Sequence, residues 1–447
     1  MTENPVFPFK LSKQVGGMPE SSTLRINEEI AARRASGETM YHMGFGESPF
    51  PVPARIAKAL ADAAGSNSYP PTLGLPDLRD KALAYFSSRL SFATEGMSAM
   101  VGPGSKDLIF AAQMAIEGDV LLPTPSWVSY APQAKLAGAN AIKIPTQASN
   151  HHRMSGKLIR ETIVQARADG LNPKKIILNY PNNPTGLGIA GQDLQDIAEV
   201  CRENGIIVIS DEIYSLIAHG GPHRSIAGFY PEGTIVTTGL SKHLSLGGYR
   251  IGFAFIPDAL GGLMPAMRAI ASETWSCVSH PVQHAAIAAV EEHDDIEEHI
   301  AMCTKIHGMV TNYARDRLVA AGIEYPPLAG GFYLYPDFSE HAADLAAAYS
   351  VSSSQELAAD LLSRASVATL PGTDFGDAEQ VLSLRLAITD YDGAKALEHL
   401  ISDPDIDQNQ FIKKTCPRIV QACDSLVEYL AAAAGSQRTE RKAINDQ

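Results

Sequence analysis

A short, uninterrupted apolar run at residues 206–209 limits what this chain can fold into more than any other stretch. A continuous run of this length is typical of a strand that is covered on both faces, rather than of a strand with one face in water. The run passes through Ser210 directly into the acidic pair Asp211 and Glu212. Because open α/β sheets bind ligands at the carboxyl ends of their strands, the stretch predicts a buried parallel strand that ends in a ligand-binding carboxylate.

Similar apolar segments recur along the chain, separated by stretches with helical spacing. They lie at residues 120–122, 175–179, 233–237 and 250–256. Strands that alternate with helices in this way, here from about residue 100 to 257, indicate a mainly parallel sheet with helices on both faces. We therefore expect an α/β fold, followed by a largely helical region.

A lysine, Lys242, follows the segment at residues 233–237, within a glycine-rich turn that also holds Ser241 and Arg250. A lysine at the end of a buried strand is partly desolvated, which lowers its pKa and frees the amine for Schiff-base chemistry. An arginine eight residues further on can bind a phosphate through two parallel hydrogen bonds. Such a Ser-Lys pair is also common in surface turns, so its assignment depends on the other motifs.

Other segments carry residues that are suited to ligand binding. Gly104 and Ser105 open a predicted helix, where free backbone N–H groups form either an anion site or a simple cap. Trp127 can stack on an aromatic ring or fill the core. Arg385 interrupts an apolar strand, and a buried arginine needs an anionic partner. A glycine turn at Gly46 lets the backbone approach a ligand closely.

Charge and cysteine content exclude several classes of protein. The net charge is −14 with no long basic run, which argues against nucleic-acid binding. Five scattered cysteines without a C-x-x-C pair, and no evident signal or membrane-spanning segment, predict a cytoplasmic protein. His299, Cys303 and His307 recur on one face of a helix predicted over 291–320, but no fourth ligand is evident, and we expect no metal site.

Taken in order, these motifs resemble those of the aminotransferase class I/II family, the fold-type-I enzymes that use pyridoxal 5′-phosphate (PLP), over about residues 20–390. The resemblance implies a large PLP-binding domain at 50–300 with a mainly parallel seven-stranded sheet flanked by helices. It also implies a smaller α+β domain at 301–447, which residues 1–49 join as an N-terminal arm and a part of that domain. An extra final helix is predicted at 416–434.

The same resemblance assigns roles to individual residues. Lys242 would form the internal aldimine with PLP, Asp211 would pair with the pyridine nitrogen, and Tyr214 would hydrogen-bond the ring hydroxyl together with Asn183. The residues implied to surround the cofactor are Gly104, Ser105, Lys106, Trp127, Asn183, Asp211, Tyr214, Ser241, Lys242, Arg250 and Tyr69. The residues implied to bind the substrate are Gly46, Arg385, Asn183 and Trp127. Tyr69 would reach the cofactor phosphate of a neighbouring subunit, which implies a homodimer with shared sites.

The chain also departs from the family pattern. Gly239 stands where the family usually has a serine or threonine on the phosphate, so either Thr237 or Thr238 compensates or one phosphate contact is missing. We identify no second arginine for a side-chain carboxylate. The segment 392–447 is longer than the family core requires.

The resemblance favours an aminotransferase that moves an amino group from an L-amino acid to a 2-oxo acid. The alternative that stays open is a PLP-dependent γ-elimination or γ-replacement lyase or synthase, similar to the 1-aminocyclopropane-1-carboxylate synthases that act on S-adenosylmethionine. An α-oxoamine synthase is disfavoured, since those enzymes usually carry a histidine close after the aspartate, whereas Ile213 and Tyr214 follow here. Lys242 and Arg385 disfavour a non-catalytic regulator.

Overall fold

The computed structural model describes residues 9–18 and 20–445, with side chains up to residue 435. Residues 1–8 of the expected N-terminal arm lie outside the described residues. The strands are β1 (Tyr41–His42), β2 (Met97–Gly102), β3 (Asp119–Thr124), β4 (Ala141–Pro145), β5 (Pro173–Asn179), β6 (Ile207–Asp211), β7 (Thr234–Gly239), β8 (Gly252–Pro257), β9 (Tyr333–Leu334), β10 (Val367–Ala368), β11 (Leu370–Pro371) and β12 (Leu384–Ala387). The helices are α1 (Ser22–Ala35), α2 (Ala54–Asp62), α3 (Pro76–Leu90), α4 (Ser105–Ala115), α5 (Tyr130–Leu136), α6 (Gly156–Ala168), α7 (Gly191–Asn204), α8 (Leu263–Thr274), α9 (His280–Val290), α10 (Asp294–Ala320), α11 (Ala342–Tyr349), α12 (Ser354–Arg364), α13 (Gly393–Ser402), α14 (Gln408–Thr415) and α15 (Pro417–Asn445).

Seven strands form the central sheet in the order β2-β8-β7-β6-β5-β3-β4. All neighbouring strands from β4 to β7 run parallel, and β8 runs antiparallel to both of its neighbours, β7 and β2. On one face of β6, Ile209 packs against residues of α4 and α8. On the other face, Val208 packs against residues of α6 and α7. This two-sided burial explains the uninterrupted apolar run, and the mainly parallel sheet of the α/β prediction is confirmed.

The carboxyl edge of the sheet brings distant polar residues together. β5 ends at Asn179 and β6 ends at Asp211, and these two residues are direct partners in the parallel register. Lys242 follows the end of β7 by three residues. A ligand at this edge therefore meets side chains from several separate parts of the sequence.

A second group of elements packs beside this layer. β1 pairs with β10 in parallel, and β12 pairs with β11 and β9 in an antiparallel sheet. A separate core joins Met43 and Phe50 to residues of α10–α15. The final helix is longer than predicted, since α15 continues to Asn445.

Two other predicted bounds also change. The strand predicted from Arg250 begins at Gly252, because Arg250 has a φ of +53° in the left-handed region and ends the preceding turn. The helix predicted from residue 291 begins at Asp294. Among the described residues, every helix is too short or too polar to cross a lipid bilayer.

Candidate active site

A cavity of about 280 Å³ opens at the carboxyl edge of the central sheet. It gathers every residue that the sequence assigned to the cofactor or the substrate, except Tyr69. These residues are Gly46, Gly104, Ser105, Lys106, Trp127, Asn183, Asp211, Tyr214, Ser241, Lys242, Arg250 and Arg385. They come from positions more than three hundred residues apart, so the fold alone brings them together.

Asp211 lines the cavity, and only one of its two carboxylate oxygens accepts a hydrogen bond from a side chain. Its Oδ2 accepts a hydrogen bond from the Tyr130 hydroxyl at 2.6 Å, while its buried Oδ1 has no hydrogen-bond partner among the described residues. Burial raises the pKa of Asp211 to about 6, and the Tyr130 hydrogen bond opposes that rise. A buried acceptor without a donor is costly, and it fits a protonated ring nitrogen of PLP.

Another part of the cavity lining, at the start of α4, is suited to an anion. Helix α4 begins at Ser105, and Gly104 before it gives no side-chain cap to the free N–H groups. Gly104 has a φ of +94°, and a Cβ there would lie 2.4 Å from Nη2 of Arg250. The guanidinium of Arg250 is held by the carbonyl oxygens of Pro103 and Gly247 at 3.2 and 2.9 Å. Free N–H groups beside a guanidinium match the phosphate of PLP.

Lys242 lines the same cavity. Its Nζ donates a hydrogen bond to the carbonyl oxygen of Gly46 at 2.8 Å and lies 5.7 Å from the centroid of the Tyr214 ring. Gly46 has no space for a side chain, because a Cβ would lie 1.9 Å from the Tyr333 hydroxyl. The glycine turn predicted to approach a ligand thus reaches the lysine as well.

Arg385 is a buried cation that makes no salt bridge among the described residues, and the carboxylate of Asp374 acts on it only from a longer distance. Its Nη2 donates to the carbonyl oxygen of Gly44, and its Nη1 lies 3.4 Å from Oδ1 of Asn183. The buried Nε has no partner, and burial lowers the pKa of the guanidinium. The rings of Tyr333 and Phe375 lie 4.9 and 5.2 Å from its central carbon. Such a group is suited to a substrate carboxylate.

Sequence reasoning missed several residues that shape the cavity. Tyr130 supports Asp211, and Tyr333 shares a 3.0 Å hydrogen bond between hydroxyls with Tyr214. Asn179 accepts a hydrogen bond from the backbone N–H of Asn183 at 2.7 Å and donates one to the carbonyl oxygen of Asp211 at 2.8 Å. Only Asn179 carried a usable signal, since it is the last residue of a predicted strand.

The structure explains why position 239 is occupied by a glycine. It is paired with Gly252 on β8, and a Cβ at Gly239 would lie 2.9 Å from the carbonyl oxygen of Ile251. The hydroxyls of Thr237 and Thr238 face backbone carbonyl oxygens of Ser210 and Glu212 at 3.5 and 3.4 Å. Neither threonine lines the cavity. Neither Thr237 nor Thr238 is therefore placed to replace the phosphate contact that a serine or threonine at position 239 would make.

Trp127 and Tyr69 differ in where they lie. Trp127 is half-buried at the cavity wall, edge-on to Tyr130 with ring centroids 5.2 Å apart, and Nζ of Lys106 lies 5.5 Å from its ring. Tyr69 is 93% exposed and does not line the cavity of its own chain. Its predicted role needs a second subunit.

The sequence matches the profile of the family described as aminotransferase class I and II over residues 38–403. The chain belongs to this family. It is 33% identical over 383 residues to an aspartate aminotransferase of Geobacillus stearothermophilus, which covers 83% of this chain and 93% of the relative. It is 30% identical over 385 residues to an asparagine–oxo-acid transaminase of Streptococcus mutans, with 83% and 93% covered. An aspartate aminotransferase of Thermus thermophilus with maleate shares the fold at a TM-score of 0.79 and 24% identity, over 94% of this chain and 100% of that one.

This aminotransferase is therefore a PLP-dependent enzyme that moves an amino group from an amino acid to a 2-oxo acid. The relatives at about this identity are aminotransferases by name. They support transamination over the elimination or replacement chemistry that the motifs alone left open.

Proposed function

We propose that the cavity residues act as the sequence resemblance implies, with Lys242, Asp211 and Tyr214 as the catalytic residues. One observation carries this proposal: a lysine amine without a salt bridge, a carboxylate oxygen without a donor and an uncapped helix beside Arg250 share one cavity among the described residues. These are the three kinds of group that an aldehyde, a pyridine nitrogen and a phosphate require.

PLP, when bound, supplies an electron sink that makes the substrate Cα–H bond acidic. The residues of the chain do the rest of the work. The amine of Lys242 would remove the proton from the substrate Cα and would deliver a proton to the cofactor carbon that is bonded to the transferred nitrogen. Asp211 keeps the ring nitrogen protonated through opposite charge. Tyr214 and Asn183 hold the ring hydroxyl, and Arg385 holds the α-carboxylate so that the labile bond is correctly oriented.

We propose an acidic amino acid, with aspartate as the first candidate, as the amino donor. The relatives named aspartate aminotransferases support this choice, as does the Thermus thermophilus structure with maleate, a dicarboxylate. Arg385 accounts for one carboxylate. The half-buried ammonium of Lys106 lies at the same cavity with no ion pair among the described residues, and desolvation lowers its pKa. Besides its place near the cofactor, it is the candidate partner of the second carboxylate.

We also propose a homodimer in which Tyr69 serves the neighbouring site, and the exposed side chain of Tyr69 supports that arrangement. The division into residues 1–49, 50–300 and 301–447 stays a prediction. The free thiols of all five cysteines support the expected reducing compartment, the cytoplasm.

Borohydride reduction of the PLP-bound enzyme tests the lysine assignment. We expect mass spectrometry to locate one covalent PLP adduct on Lys242, and Lys242→Ala to give none. Lys157, an exposed lysine on α6, supplies the control variant Lys157→Ala, which should trap PLP like the parent. An adduct of equal yield in Lys242→Ala would overturn the assignment.

Donor specificity tests the role of Lys106. Loss of a charge-assisted hydrogen bond of about 1.5–3 kcal/mol should lower kcat/KM for aspartate roughly 10–100-fold in Lys106→Met. Turnover of alanine, which has no second carboxylate, should change less than about 3-fold, because the lost hydrogen bond does not exist there. An equal loss for both donors would assign Lys106 to the cofactor alone.

A further inference from the structure

The C-terminal segment after residue 403 lies outside the family match, and so does helix α1 before residue 38. The two segments are far apart in sequence but meet on one side chain. Helices α14 and α15 pack their apolar faces, including Phe411, Ile419 and Leu426, into the core that they share with α10. The polar side of the first turn of α15 carries Arg418, which points away from that core toward Asp390.

Asp390 is the point where the segments meet. Its side chain is 7% exposed, and its Oδ1 accepts a hydrogen bond from Nε of Arg418 at 3.0 Å. Its Oδ2 accepts from Nη2 of Arg34, at the end of α1, and from the backbone N–H of His42 on β1 at 2.9 Å. Arg34 also donates to the carbonyl oxygen of Met40. One carboxylate therefore joins α15, α1 and β1.

Helix α1 leads from this junction to the cavity. Thr23 and Leu24 at its amino end line the cavity. Ile26 fills the space over Gly44, where a Cβ would lie 2.9 Å from the Ile26 side chain. The carbonyl oxygen of Gly44 accepts the hydrogen bond from Arg385. The helix thus covers the segment that orients the proposed carboxylate-binding arginine.

The exposure of Arg34 and Arg418 indicates that their ion pairs with Asp390 matter for local positioning more than for global stability. The side chains of Arg34 and Arg418 are 33% and 52% exposed, and ion pairs of that kind add little to global stability. Their geometry is different from that of an isolated surface pair, because the shared carboxylate is nearly buried and already accepts a backbone hydrogen bond. Loss of Arg418 leaves Oδ1 without its donor, so that only the His42 backbone N–H, besides Arg34, still fixes the orientation of the Asp390 carboxylate.

We propose that Arg418 is a positioning residue: through Asp390 it holds Arg34, and with it helix α1, over the substrate side of the cavity. The segment after residue 403 then serves to tighten substrate binding. This inference rests on the proposed role of the cavity, since it concerns how that cavity binds its amino acid. It does not concern PLP, whose proposed contacts lie at the end of β6, at the start of α4, in the loops that follow the strands of the central sheet, and on Tyr69 of a neighbouring subunit.

The test compares Arg418→Gln, Arg34→Gln and the double variant in the PLP-bound enzyme. The matched control is Arg364→Gln, which breaks a similarly exposed pair with Asp360 on α12, at 54% exposure of the arginine. Hydrogen exchange of the amides of α1 measures its attachment without any turnover. Steady-state kinetics with aspartate gives KM and kcat, and borohydride trapping at Lys242 reports the PLP site separately.

We expect Arg418→Gln to raise exchange within α1 and to raise KM about 3–10-fold, with kcat within about 2-fold and trapping at Lys242 unchanged. The double variant should match Arg34→Gln alone, because both arginines act through one carboxylate, and Arg418→Lys should restore part of the KM. Unchanged exchange in α1, additive effects, or an equal KM change in Arg364→Gln would overturn the proposal. Absence of trapping in the parent enzyme would instead contradict the proposed function.

Discussion

The buried carboxyl of Asp211 should cost the cofactor-free protein stability, and Asp211→Asn should remove that cost. Burial raises the pKa of this group from its ordinary value of 3.8 to about 6. The folded protein then holds the proton more tightly than the unfolded chain does. At a pH below both pKa values, the carboxyl is protonated in the folded and the unfolded protein and does not lower the free energy of unfolding. The free energy of unfolding falls as the pH rises from about 4 to about 6, where only the unfolded chain has lost the proton.

The size of the effect follows from the shift. One pKa unit corresponds to about 1.4 kcal/mol, so a shift of about two units gives roughly 3 kcal/mol at neutral pH. Asparagine is nearly isosteric and can still accept the Tyr130 hydrogen bond, but its amide also faces the cavity without a protein acceptor. We therefore expect Asp211→Asn to raise the free energy of unfolding by about 1–3 kcal/mol at pH 8.

Urea unfolding of the PLP-free protein between pH 4 and 8 measures this difference. The gain in Asp211→Asn should shrink toward zero at pH 4, while the variant loses transaminase activity at every pH. Asp193 gives the matched control, since its buried carboxylate is paired with Arg153 through hydrogen bonds of 2.8 and 3.0 Å. Asp193→Asn should be less stable than the parent. Identical pH dependence for the parent and Asp211→Asn would refute the reasoning.

Three further variants test separate contacts of the site. Tyr130→Phe removes the hydrogen bond that lowers the pKa of Asp211, so the carboxylate should become protonated at a higher pH than in the parent. As the pH is lowered, PLP binding to the cofactor-free variant should therefore begin to weaken about one pH unit earlier than in the parent, as measured by equilibrium dialysis. The same pH profile in both proteins would contradict this. Gly239→Ser forces a side chain against backbone atoms of β8 and should lower the free energy of unfolding by about 1–3 kcal/mol in urea, and a variant as stable as the parent would show that the strands can separate. Tyr69→Phe should weaken PLP binding about 5–30-fold, whereas a monomer with full PLP affinity would refute the shared site.

The residues that could be predicted from the sequence share a simple property. Asp211 ends an apolar strand, and Arg385 interrupts one, so local pattern and the cost of burying charge were enough to mark them. The motif order then supplied Lys242 and Arg250. The fold class followed from the same alternation of strands and helices.

The residues that could not be predicted act across the fold. Tyr130 lies 81 residues before Asp211, in a helix of ordinary composition, and nothing local marks the contact of its hydroxyl with the carboxylate. Tyr333 and Tyr214 lie 119 residues apart. The conflict at Gly239 was visible in the sequence, but its cause, the close approach of two backbones, depends on the antiparallel register of β8.

The unpaired guanidinium of Arg385 also bears on which amines this enzyme rejects. An amine that has lost its α-carboxylate could still fit the cavity, but it would leave a fully buried positive charge without a carboxylate in contact with it. Removing one partner of a buried ion pair costs about 3–5 kcal/mol, which corresponds to discrimination of roughly 10²–10³-fold or more. If Arg385 binds as proposed, decarboxylated amines are excluded by the electrostatics of the interior, without any steric barrier at the entrance.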